Sequence, residues 1–165
     1  MTLPPLFETI GVMLVITVAA CSSTASIDRG RPSSVDPFLS LLNKGITQLD
    51  ININGLSKRL NDVQQIPSGT NPLLRELQAL NVSGWQLHQQ QWVVQRDHLV
   101  LARNLLQQAG NDHGARAELL ERWRRHVQEY GKAIEDLRRQ RQDLEQQHAD
   151  LEARLTEQTL RGQQP

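Results

Sequence analysis

Only one cysteine, Cys21, occurs in the 165 residues, so no disulfide can form within one chain. Aromatic side chains make up only 4% of the sequence, and glutamine is abundant, so a richly packed globular core is not expected. Basic and acidic side chains number 18 each, which removes bulk electrostatic attraction to nucleic acid. No segment is dense in the Val, Ile, Tyr, Phe and Thr that strands prefer, which disfavours a sheet. The longest apolar run, IGVMLVITVAA at 10–20, is about half of the roughly 20 residues that a spanning helix needs. There is no Gly-rich phosphate loop, nucleophile elbow or metalloprotease helix motif. The five histidines, His88, His98, His113, His126 and His148, have no tight metal-ligand spacing. An enzyme, a metal site, a small-molecule substrate and a nucleic-acid partner are therefore not expected.

What is present begins with an address. The apolar run at 10–20 has the length of a signal-peptide core and ends in the small residues Ala19 and Ala20 before Cys21. Val18-Ala19-Ala20-Cys21 resembles the lipobox of bacterial lipoproteins. That resemblance implies cleavage between Ala20 and Cys21, loss of residues 1–20, and a covalent diacylglycerol and N-acyl lipid on Cys21. No other cofactor is expected. The amino-terminal stretch departs from the usual pattern, since Met1–Thr9 carries Glu8 and no Lys or Arg. The competing reading is an uncleaved membrane anchor with a buried, inert Cys21. Several acyl chains on one cysteine would hold the protein permanently, because each buried methylene contributes ~0.8 kcal/mol. Ser22, where an inner-membrane lipoprotein would carry Asp, implies the outer membrane and a body in the periplasm; tethering to the inner membrane is the alternative.

Residues 21–35 read as a lipidated flexible tether, rich in Ser and without an apolar period. Three helices are then expected, at 36–66, 71–109 and 115–161. Asp36-Pro37 and Asn71-Pro72 each offer a capping side chain followed by a proline suited to a first helical turn. In the first helix the apolar residues Leu39, Leu42, Ile46, Leu49, Ile53, Leu56, Leu60 and Val63 alternate steps of three and four, a heptad seam. Ile66-Pro67-Ser68-Gly69 should stop it.

The second helix carries two apolar stripes, one through Leu80, Leu87, Val94 and Leu101, the other through Trp85, Trp92, Leu99 and Leu106. They lie roughly 140° apart, enough to touch two neighbours. Between them runs a polar strip, His88, Gln91, Gln95 and His98, expected to face water in a shallow groove or to be read by a partner. Trp85, Trp92 and Trp123 are expected to pack in the core; an uncovered stripe would make Trp85 and Trp92 interface anchors.

The third helix has its seam at Leu120, Trp123, Val127, Tyr130, Ile134, Leu137, Arg141, Leu144, His148, Leu151 and Leu155. Acid-to-base pairs four apart, Glu118–Arg122, Glu121–Arg125, Glu135–Arg139, Asp150–Arg154 and Glu157–Arg161, suit its exposed face, each adding ~0.2–0.5 kcal/mol. They also make the arginine clusters a solvated, ion-paired surface.

The expected fold is all-α: a lipid-anchored up-down-up array of three long helices with coiled-coil packing. At ~1.5 Å per residue the helices should measure about 45, 55 and 70 Å, so the third should protrude by two or three turns. Polar Arg141 and His148 at seam positions would fix register and partner number there. Arg141, Leu144, His148, Leu151 and Leu155 are therefore the expected partner-binding residues, for an envelope protein or for self-association. The layout resembles small helical periplasmic lipoproteins encoded beside two-component sensor kinases, which implies a regulatory or adaptor role through protein contacts. A self-associating structural component of an envelope or secretion assembly is the alternative.

Overall fold

The computed structural model describes residues 36–65, 71–111 and 116–162. Cys21, the expected cleavage position, the expected tether and residues 66–70 and 112–115 lie outside the described residues. The chain divides into two units, Met1–Phe38 and Leu39–Pro165; the described part of the first is the opening of a helix, and the helical body belongs to the second. Among the described residues there are three α-helices and no strand: α1 (Asp36–Gln64), α2 (Pro72–Asn111) and α3 (Arg116–Gly162). The three pack against one another.

Local chemistry accounts for the ends. The Asn71 side-chain oxygen accepts from the Leu73 N–H at 2.9 Å and its carbonyl from the Arg75 N–H at 3.2 Å, while Pro72 occupies the first helical position, where no N–H is needed. At the end of α1 the Gln65 N–H reaches back only three residues, to the Asp62 carbonyl at 3.3 Å, which tightens the last turn. Glu118 in the first turn of α3 and Arg161 in its last both complement the helix dipole.

Side-chain pairs set the register. From α1 to α2 they are Asn43–Arg103, Asp50–Arg96 and Ser57–Gln89: each step of seven up α1 is a step of seven back along α2. From α2 to α3 they are Gln108–Arg122 and Glu76–Arg154. Both neighbours of α2 therefore run antiparallel to it, giving an up-down-up order.

The core is thin, as the composition implies. The buried apolar side chains among the described residues are Ile46, Leu60, Ala102, Leu105, Leu119 and Leu151. Gly45 lets α1 come close to α2, since a Cβ built there would lie 3.0 Å from a Leu99 methyl.

Three expectations need correction. The last turns of α3 do not protrude: Arg154 reaches the Glu76 carboxylate at 3.4 Å, and Leu151 is only 1% exposed. By this register α2 accompanies α3 to about residue 158, because the short helix is α1, which stops about level with Val82 and His148. The seam of α3 opens on Leu119, which is buried, and not on Leu120, which is 44% exposed. The charge pairs are also partly redistributed. Glu135–Arg139 and Glu157–Arg161 form, but Arg122 turns to Gln108, Arg154 to Glu76 and Glu121 to Arg124, because partners on a neighbouring helix or a nearer turn compete with the four-residue spacing.

Candidate functional site

The two stripes of α2 face different neighbours. Leu99 meets α1 at Gly45, whereas Val94 lines a groove shared with α3. The polar strip lies on the arc between them. His98 is consequently only partly exposed to water. Its ring stacks on Tyr130 with centroids 4.1 Å apart and on His126 at 5.1 Å, and Trp123 lies tilted at 5.0 Å. One residue of α2 is thus held by three rings of α3, spaced three and four apart so that they share one helix face. Nδ1 of His98 and Nε2 of His126 are buried without a hydrogen-bond partner. Burial, and secondarily the neighbouring His126, lower the His98 pKa to about 4, so the imidazole is neutral at pH 7. Burial also raises the Tyr130 pKa.

Further along the strip, His88 stands edge-on to Trp92 with centroids 4.2 Å apart. Burial, then the positive charge of Arg141, lower its pKa. Gln91 and Gln95 are half-buried, as are Trp85, Trp92 and Trp123. This imidazole-rich strip was the feature whose surroundings the sequence left open. The available signal was its position between two apolar stripes, which turns it toward both neighbouring helices.

The expected partner seam is partly engaged within the chain. Arg141 pairs with Glu145 at 2.7 Å and keeps 40% of its side chain exposed. His148 Nδ1 lies 3.4 Å from a Glu152 oxygen with its side chain 37% exposed. Leu144 and Leu155 are half-buried. Leu151 is closed off within the chain and is not presented to a partner in this conformation. The arginines nearby are largely in pairs: Arg124 with Glu121, Arg139 with Glu135, and Arg141 with Glu145.

On the α2–α3 pair an open groove of about 410 Å³ has a floor of Val93, Val94, Ala133 and Leu137 and a rim that includes Gln90, Gln140 and Asp136. Its wall offers amide donors and acceptors and one carboxylate. Among the described residues no group of three or more His, Cys, Asp or Glu is placed to hold a metal ion, and no helix is long and apolar enough to cross a membrane. No family model matches the chain, and no curated protein or solved structure matches it at a significant level.

Proposed function

We propose that the mature chain, residues 21–165, is a lipid-anchored, non-catalytic adaptor on the periplasmic face of the bacterial outer membrane. Cys21 carries the acyl chains, the following residues tether the body, and the carboxyl-terminal half of α3 binds an envelope protein. Confinement to a membrane raises the local concentration of both partners, so modest contacts suffice.

The observation that carries this reading is the early end of α1. By register, α1 stops about level with His148, and from there α2 and α3 continue for about three turns with no other described helix beside them. A partner helix laid in that position would meet His148 and Leu155, with Leu144 at its edge level with Leu60 of α1, Arg141 a turn earlier level with Ser57, and Leu151 closed off beneath. Coiled-coil packing belongs to the same reading, because the polar pairs between α1 and α2 recur at every seventh residue, the repeat of a left-handed supercoil.

Site-specific photocrosslinking in living cells tests it. Probes at Leu144, His148 and Leu155 should capture one envelope protein, and a probe at the exposed Gln128 should not. Adducts between two copies of this chain would instead support self-association, and no adduct at any of the three positions would overturn the adaptor reading.

A further inference from the structure

We propose that the stack of His98 on His126 is an acid-sensitive latch, which holds α2 against α3 while the His98 ring is neutral and loosens that contact when His98 takes up a proton. The geometry carries it. A neutral imidazole can leave one nitrogen as a bare lone pair, and an unpartnered acceptor in an apolar stack is a moderate cost. Protonation puts an N–H on both nitrogens of a ring. Nδ1 of His98 and Nε2 of His126 are the buried, unpartnered atoms, so a charged ring would bear a donor with nothing to donate to. The charge on His98 would also lie against aromatic rings, with the His126 centroid 5.1 Å and the Tyr130 centroid 4.1 Å away.

Among the described residues no hydrogen-bond partner reaches Nδ1 of His98 or Nε2 of His126. From α3, His98 meets Trp123, His126 and Tyr130, and Tyr130 is neutral throughout the acid range. Glu129 and Lys132, at the same level of α3, are exposed. The ionisable residues of α1 at this level are Lys44, which is exposed, and Asp50, which is held by Arg96. On α2 itself Arg96 and Asp97 pair with each other at 3.1 Å. Apart from burial, the influence acting on His98 is His126, and it opposes protonation.

The sign follows from linkage. An open seam lets His98 titrate near its ordinary 6.5, while the closed seam lowers it to about 4, so the open form binds more protons between those values. The closed form is fully favoured above pH 6.5 and loses ground as pH falls toward 4. From pH 7.5 to pH 5, these two values shift the open-to-closed ratio by at most about 30-fold, less where water reaches the ring.

The test uses the full chain carrying Cys21→Ser, with spin labels at Gln90 and Gln140, which face each other across the α2–α3 groove, and a parallel urea titration. The wild-type sequence should show a longer or broader inter-label distance at pH 5 than at pH 7.5 and a lower urea midpoint. His98→Phe, which keeps a ring in the stack but cannot be protonated, should lose most of both effects. An equal acid response in His98→Phe would overturn the latch. Should that variant fail to fold, the unsubstituted seam decides: an unchanged label distance between pH 7.5 and 5 overturns the proposal.

Discussion

Asp50 on α1 and Arg96 on α2 meet at the middle rung of a three-rung ladder, with Asn43–Arg103 on one side and Ser57–Gln89 on the other. The Asp50 and Asp97 carboxylates hold the Arg96 guanidinium even more firmly charged than usual. The Ser57 hydroxyl both accepts from Gln89 and donates to the Ile53 carbonyl at 2.8 Å. The rungs are partly exposed, so each adds little to stability.

A double-mutant cycle on that middle rung should show this. Both partners are about two-fifths exposed, so the Asp50–Arg96 coupling should be only ~0.2–1 kcal/mol and should shrink in high salt. Urea unfolding of Asp50→Ala, Arg96→Ala and the double variant measures it; a salt-independent coupling well above that range would contradict this account.

Glycine substitutions should separate crowded from open helix positions. Gly131 and Gly55 have nothing within 4 Å of an added Cβ, so Gly131→Ala and Gly55→Ala should each stabilise by about 0.5–1 kcal/mol. At Gly45 the added carbon would press on the Leu99 methyl at 3.0 Å, so Gly45→Ala should gain little or lose stability. In a Leu99→Ala background the same substitution should recover its propensity gain. Thermal unfolding of this set is the check.

Leu151 and Leu160 lie on one helix and differ in exposure, 1% against 61%. Leu151→Ala should cost about 2–4 kcal/mol through lost burial and a cavity, while Leu160→Ala should stay within about 0.5 kcal/mol. Equal effects in urea titrations would mean that the end of α3 is not packed as described.

Tyr130 should titrate above the usual tyrosine value when followed by ultraviolet absorbance. The unfolded chain loses its phenolic proton first, so stability should fall as pH rises above about 10 and level off above the folded-state value. Tyr130→Phe should remove that part of the alkaline loss.

The proposed lipid anchor has its own test. Cys21→Ser should abolish fatty-acid labelling and release the body into the soluble fraction. Unchanged membrane attachment would instead favour an uncleaved anchor.

The helical character is legible because seven-residue apolar repeats persist through the chain and because Asn71-Pro72 combines a cap with a first-turn proline. The two-sided role of α2 is legible as well, from stripes about 140° apart. What local spacing does not encode is which remote group wins. Arg154 has Asp150 four residues away and still takes Glu76, and Asp150 accepts from Gln146 instead. The ring cluster was hidden for a related reason. His126 sits one position before Val127 of the expected seam, so a small rotation of α3 decides whether it meets water or His98.

The early end of α1 fixes where along the helical body a partner could dock. Leu39 of α1 is level with Trp123 of α3, while Leu155 lies about 50 Å farther along. A partner seated at Leu155 would therefore make no contact with the opening turns of α1 after Leu39, and substitutions there should leave such docking untouched.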